Sequence, residues 1–248
     1  MHYHAHLIAT RCSLLGDRLK TSPTNSTLRI QKPMGTEEQM DALKLVRELA
    51  KSSSIGPSPS FTEFDVVKAL ELIDRESIGR TKLSKELELG QGATRTILSH
   101  LQHAGLVDIR PSGCILTSKG LSFVKSLRSI VQFGFDIPRA IFPIGEYNSG
   151  ALVSKAGKRL RKGLEQRDAA IRVGASGAAT LVYRNGKLLF PPKEVASKEW
   201  PEISKRIMNI FKPNEDDVII VTGGESPRLA EAGARAAAWT LLESSKTD

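Results

Sequence analysis

Polar side chains that can bond nucleic-acid bases recur along one side of a helix predicted over residues 91–104. They are Gln91, Arg95, Thr96, Ser99 and His100. Arginine can donate two parallel hydrogen bonds to a guanine edge, and glutamine or threonine can meet other base edges. The small residues Gly92 and Ala93 would let the start of the helix approach a duplex closely. The pattern predicts that this side of the helix reads bases in a major groove.

Cations flank this helix on both sides in the sequence. We expect them to hold the phosphates beside the bases: Arg80, Lys82, Lys85, Arg110 and Lys119. The alternative is that all these polar groups form the solvated face of a small helical domain. A domain of this kind can also bind proteins without touching nucleic acid.

The elements that would position these residues follow one another between Phe61 and Leu121. A first helix has apolar residues at helical spacing, a second begins at an N-capping Thr81, and Gly90 ends it. The third, over residues 91–104, stops at Gly105, as helices often do at glycine. A hairpin with a polar tip follows. The buried sides are predicted to hold Phe64, Val67, Leu70 and Ile73, then Leu83 and Leu87, then Thr94, Ile97, Leu98 and Leu101.

The segment ATRTILSHLQHAGLVDIRPSG resembles the recognition helix and first wing strand of bacterial and archaeal transcription regulators. The resemblance covers about a quarter of the chain. It implies a winged helix-turn-helix, in which the third helix enters the major groove and the hairpin is the wing. Double-stranded DNA is therefore the expected partner.

Composition supports a polyanionic partner only weakly. The chain has 248 residues, a net charge of +9 and a pI near 9.6. Residues 61–135, however, carry ten Lys and Arg against eight Asp and Glu, so the prediction depends on where the cations lie. Cys12 and Cys114 are too far apart in sequence to suggest a metal site. With no signal peptide and no apolar run long enough to span a bilayer, we expect a cytoplasmic protein.

Three domains are predicted. Residues 1–35 have no periodicity and are expected to be a disordered extension, with translation starting at Met1, Met34 or Met40. Residues 36–136 hold the winged unit between two flanking helices, whose apolar stripes begin at Met40 and Leu121. The first helix packs on its own domain or forms a dimer contact, and a linker over residues 51–60 follows it. Residues 137–248 form an α+β domain for effector sensing or dimerisation.

The third domain shows alternating strand and helix patterns. Extended segments are expected at residues 140–144 and 150–154, followed by one long helix over residues 156–173. Asn185-Gly186 between apolar runs predicts a tight hairpin. A helix over residues 200–211, a buried strand over residues 217–222 and a closing helix from Pro227 complete the order β-α-β-β-α-β-α. We therefore expect an α+β fold of ferredoxin-like topology with an extra C-terminal helix.

One segment of the third domain could bind an anion. Thr222-Gly-Gly-Glu-Ser-Pro227 follows a buried strand and opens a helix, whose N-terminus favours negative charge. If a small anionic effector binds, the expected residues are Gly223, Gly224 and Ser226, with Arg167 and Asp168 as neighbours. An ordinary αβ connection and a helix-surface ion pair are the alternatives. We expect no cofactor or metal, because dinucleotide and P-loop spacings are absent.

Residues 163–188, GLEQRDAAIRVGASGAATLVYRNGKL, together with the winged segment, resemble an archaeal family that joins a winged helix to an uncharacterised C-terminal domain. The resemblance implies a regulator of transcription, and we expect this regulator to be a homodimer. Two alternatives stay open. The winged unit could bind protein or RNA in the transcription or translation apparatus, or it could be attached to an enzyme acting on a phosphorylated metabolite. An enzyme is disfavoured, because the third domain has no His or Cys.

Overall fold

A computed structural model of the chain describes residues 36–51, 60–191, 194–195 and 200–243. The predicted extension over residues 1–35 and the linker over residues 52–59 lie outside these ranges. The described residues confirm the α+β class. Among them, no helix is both long and apolar enough to cross a membrane.

The N-terminal part consists of helices and one hairpin in the predicted order. Its elements are α1 (Thr36–Leu49), α2 (Glu63–Arg75), α3 (Arg80–Leu87), α4 (Gln91–His103), β1 (Val107–Arg110), β2 (Gly113–Leu116) and α5 (Ser118–Ile130). The expected apolar stripes are buried, except that Phe64 of α2 is half-buried. Gly105 follows α4 with φ +71°, which a glycine adopts without strain.

Two helix ends differ from the prediction. Gly79 rather than Thr81 is the N-cap of α3, so Arg80 is the first helical residue. Glu88, in the left-handed conformation with φ 56°, ends α3. Gly90 is instead the N-cap of α4. The turn between α3 and α4 therefore begins at Glu88, two residues before Gly90.

The two flanking helices pack on the unit that they enclose. Ala42, Leu43 and Val46 of α1 are buried in one core with α2, α4 and α5. The apolar stripes predicted for α1 and α5 each include a first residue that is not buried. Met40 is 59% exposed and Leu121 is 46% exposed. Helix α1 therefore packs on its own chain through this face.

The C-terminal part is built on one six-stranded antiparallel sheet. Its strands are β3 (Val131–Asp136), β4 (Tyr147–Val153), β5 (Gly177–Arg184), β6 (Lys187–Phe190), β7 (Glu194–Val195) and β8 (Val218–Gly224), in the order β3-β4-β8-β5-β6-β7. The helices are α6 (Leu164–Arg172), α7 (Pro201–Phe211) and α8 (Pro227–Glu243). Asn185 and Gly186 form the predicted tight turn, both with positive φ.

The predicted ferredoxin-like topology is wrong. That fold would place the last strand at an edge, whereas β8 lies between β4 and β5 and pairs with both. Every residue of β8 is buried, and a strand apolar on both faces is accommodated best where it has neighbours on both sides. Helical and strand periodicity gives the order of elements along the chain but not the order of strands in the sheet.

Three further segments differ from the sequence prediction. Residues 131–136, for which no strand was predicted, form edge strand β3 directly after α5. Residues 140–144 form a turn instead of a strand. Of the helix expected over residues 156–173, only Leu164–Arg172 is helical. Gly163 is the N-cap of this helix, with φ +75°, and the residues before it form a loop.

Helices cover both faces of the sheet. Side chains alternate along β8, so that Ile219 and Val221 contact the α7 side and Ile220 contacts the α8 side. Trp239 of α8 meets Phe64 of α2 edge to face, with ring centroids 5.4 Å apart. Because α8 lies between the sheet and α2, the core on this side continues into the N-terminal helices.

Candidate nucleic-acid interface

A groove of about 410 Å³ lies between the start of α3, the outer side of α4 and the β1–β2 hairpin. Each of these elements contributes one exposed arginine to it: Arg80, Arg95 and Arg110. The hairpin is held beside α3 because Ile78 and Cys114 exchange both backbone hydrogen bonds, at 3.2 and 2.8 Å. The fold therefore brings together three cations that are distant in sequence.

The exposed cations differ in whether they already have a carboxylate partner. Among the described residues, Arg80, Lys85 and Arg95 are in no ion pair. Lys82 hydrogen-bonds Glu76, and this bond and the carboxylate charge raise the pKa of Lys82. Arg110 Nε donates to Asp108 Oδ2 at 2.9 Å. Exposed pairs contribute little stability, so an incoming phosphate can compete for both cations.

Two of the predicted contact residues also bond to backbone carbonyl groups of the protein itself. His100 is half-buried, with Nδ1 2.8 Å from the carbonyl oxygen of Leu49 and its ring edge-on to Phe61. Lys119 Nζ donates to the carbonyl oxygen of Ala104 at 2.8 Å, at the C-terminal end of α4. A cation there interacts favourably with the last carbonyls of a helix. Both bonds help to hold α4 in place, while Lys119 stays exposed and His100 lines an open groove beside Arg95.

The remaining predicted residues of α4 lie on its outer side. Gln91 and Thr96 are exposed, and the Thr96 hydroxyl donates to the carbonyl oxygen of Gly92 at 3.1 Å. Ser99 is half-buried and lies in the groove beside Arg95. Sequence reasoning missed Gln102, which also lines the groove. Its spacing of three from Ser99 and seven from Arg95 would have placed it on the same helix face.

Burial governs the chemistry of the one cysteine that lines this groove. Cys114 is 2% exposed, and burial raises the pKa of its thiol while nearby Arg80 opposes the rise. A buried, protonated thiol is a poor nucleophile. The described residues contain no group of three or more His, Cys, Asp or Glu side chains arranged to hold a metal ion.

The residues of the anion site predicted in the C-terminal part lie in β8, before the start of α8 and on α6. Gly223 and Gly224 lie inside β8, where a Cβ on Gly223 would be 2.3 Å from the nitrogen of Gly145 and one on Gly224 would be 2.7 Å from that of Ala230. These glycines allow close backbone packing. Ser226 Oγ accepts a hydrogen bond from the Leu229 amide at 3.3 Å, as an N-cap does. Arg167 bonds its neighbour Asp168 at 3.2 Å on the exposed side of α6.

A buried charge cluster, which the sequence reasoning also missed, joins the two parts of the chain. Arg235 of α8 donates to Glu71 of α2 and to Glu231, at 2.9 Å for the latter, and lies 4.4 Å from the centre of the Phe133 ring. Lys68 of α2 pairs with Glu231 at 3.0 Å. Burial alone would lower the pKa of Arg235, but the two carboxylates outweigh it and raise the pKa. The sequence feature that could have indicated this cluster is the single cation, Arg235, within the alanine-rich run AGARAAAW.

Comparisons with known proteins match both parts of the chain. Residues 144–241 match a domain of unknown function, DUF4443, and residues 63–122 match a PH0730-like N-terminal domain. The solved structure of the hypothetical protein PH0730 from Pyrococcus horikoshii OT3 is 28% identical, with a TM-score of 0.58, covering 75% of this chain and all of that one. These matches support a family of uncharacterised archaeal-type proteins. No curated protein matches the chain.

Proposed function

We propose that residues 63–122 are a winged helix-turn-helix and that the protein is a DNA-binding regulator of transcription. The observation that carries the proposal is the groove in which Arg80, Arg95 and Arg110 converge from three elements. A helix of the size of α4 fits the major groove of a duplex. One sugar–phosphate strand then lies between α4 and the β1–β2 hairpin, which acts as the wing.

Arg95 is the residue proposed to read sequence. Its side chain is exposed on the outer side of α4, next to the exposed Gln91 and Thr96. A guanidinium there can bond the O6 and N7 of a guanine together. Arg80 and Arg110 stand at the two walls of the groove, where cations contact phosphates and fix the register of the protein on the duplex.

The C-terminal part is proposed to sense an effector or to pair two copies of the chain. Leu164 and Ile171 are 47% and 48% exposed and lie seven residues apart on α6, on the side facing away from α8. Exposed apolar side chains on one helix face suit a self-complementary contact between two copies. Two winged units in such a dimer would read half-sites about 34–36 Å apart.

The proposal is tested by selecting duplexes from genomic DNA and measuring the affinity of the enriched motif. Arg95→Ala should weaken binding to that motif by about 1–3 kcal/mol while leaving random duplex nearly unaffected. Arg206→Ala removes an equally exposed cation on α7 and serves as the control. Equal weakening on all sequences would make Arg95 a phosphate contact. Selection without enrichment, or stronger binding to competing RNA, would overturn the proposal.

A further inference from the structure

A second concentration of positive charge lies in the C-terminal part, between β4 and α6. Residues 155–162, hereafter the basic loop, contain five cations in eight positions and no acid: Lys155, Lys158, Arg159, Arg161 and Lys162. All but Arg159 are exposed. None of the five belongs to an ion pair among the described residues.

The basic loop has a defined backbone conformation. The buried carboxylate of Asp217 accepts the amide of Lys155 at 2.9 Å and the amide of Asn214 at 2.8 Å. The Gly157 amide donates to the carbonyl oxygen of Asp216 at 2.9 Å. A Cβ on Gly157 would be 2.3 Å from Asp216 Oδ1, so the chain can approach this closely only with glycine. These bonds fix the positions from which the cations project.

Two acids beside the basic loop, Asp216 and Glu215, already accept hydrogen bonds from residues outside it. Asp216 Oδ1 accepts two hydrogen bonds from Arg184, at 2.9 and 2.7 Å, and Glu215 accepts the amide of Asn185. Arg159 is half-buried, and burial lowers the pKa of its guanidinium against the opposing charge of Asp216. Desolvated cations are stable in proteins when they are paired. The loop therefore has an excess of positive charge that the described residues do not neutralise.

The basic loop and the proposed wing are connected by α5. Thr117, next to the end of β2, caps the start of this helix, and the carbonyl oxygen of Ile130 at its end accepts the Ser154 amide at 2.8 Å. Thirteen helical residues span about 20 Å, which is less than one turn of duplex, about 34 Å. The two ends of α5, one beside the wing and one beside Ser154, are therefore closer together than one turn of a duplex.

We propose that the basic loop is a second nucleic-acid contact, one that binds the phosphate backbone of duplex DNA without reading its sequence. A small ligand is usually enclosed over most of its surface, whereas four of these five side chains stand open to solvent. An extended row of phosphates fits such a surface better. The inference rests on the proposed DNA-binding function and adds a contact outside the winged helix.

The test compares two triple variants of the full-length chain that remove equal charge. Lys158→Gln/Arg161→Gln/Lys162→Gln neutralises the basic loop, and Lys44→Gln/Arg139→Gln/Arg206→Gln neutralises exposed cations elsewhere. Affinity for a random duplex is measured against salt concentration. The slope of log affinity against log salt should fall by about 0.9 for each phosphate that a variant no longer binds. We expect the loop variant to bind two or three fewer phosphates than the wild type and the control variant to keep the wild-type slope.

The outcomes separate this inference from the function on which it rests. Equal weakening on an enriched motif and on random duplex, in the loop variant only, supports it. A loop variant that matches the control variant overturns it while leaving sequence-specific binding by Arg95 intact. If the wild-type chain binds no duplex at low salt, both proposals fail. Vesicles or tripolyphosphate that compete at lower concentration than duplex would assign the loop to another anion and overturn the inference.

Discussion

Replacing Arg235 with methionine tests whether the buried charge cluster holds α2 and α8 together. The side chain of Arg235 is 5% exposed, and those of its partners Glu71 and Glu231 are 16% and 27% exposed. Removing one partner of a buried pair costs about 3–5 kcal/mol, because the other charge stays buried without compensation. Since Glu231 keeps some contact with solvent and with Lys68, we expect a destabilisation near the lower end of that range.

The destabilisation should be measured by urea unfolding at neutral pH, followed by far-UV circular dichroism. Lys205→Met is the control, because its pair with Glu202 is 67% and 75% exposed and should contribute less than about 1 kcal/mol. Adding Glu71→Gln and Glu231→Gln to the Arg235→Met variant should recover much of the stability, since neutral groups are cheaper to bury than charged ones.

The pH dependence gives a second check on the same variant. In the wild type, burial would raise the pKa of Glu231, but Arg235 and Lys68 outweigh it and lower the pKa. That stabilisation is complete above the pKa of the unfolded chain and disappears as pH falls through the folded value. Without Arg235, burial favours the protonated carboxyl of Glu231, so the difference between variant and wild type should shrink on acidification. A destabilisation below about 1 kcal/mol, or one independent of pH, would refute the reasoning.

Two other predictions follow from packing and exposure. Gly120→Ala should destabilise the protein by about 1–3 kcal/mol or more, because its Cβ would lie 2.0 Å from the Leu106 carbonyl oxygen. Gly92 has open space around it, so Gly92→Ala should be neutral or stabilising by up to about 1 kcal/mol in the same unfolding assay. If Gly92→Ala destabilised the protein more than Gly120→Ala, the packing around these two glycines would be contradicted. Leu164→Asp should lower the dimer fraction in sedimentation velocity without reducing stability. The similarly exposed Leu121→Asp should not, and an unchanged dimer would exclude α6 as the contact.

Local patterns were sufficient for the order of elements in the N-terminal part and for the exposed side of α4. The stripe of Thr94, Ile97, Leu98 and Leu101 determined which side of α4 is buried, and so which side carries Arg95. The partial burial of His100 was not predicted, because it lies at the edge of that stripe, where the position of α1 decides how far it is covered. The bond of Lys119 was not predicted, because its partner, the Ala104 carbonyl, becomes available only when α5 packs beside the end of α4.

The sequence by itself determined the features that depend on neighbouring residues: helix periodicity, the Asn185-Gly186 turn, the hairpin tip and the helix stop at Gly105. Tertiary structure decided the rest. The central place of β8, the convergence of Arg80, Arg95 and Arg110, the fixing of the basic loop by Asp217 and the Arg235 cluster all join residues far apart in the chain. Such pairings depend on which buried surfaces fit together, and side-chain spacing along a single segment does not specify that fit.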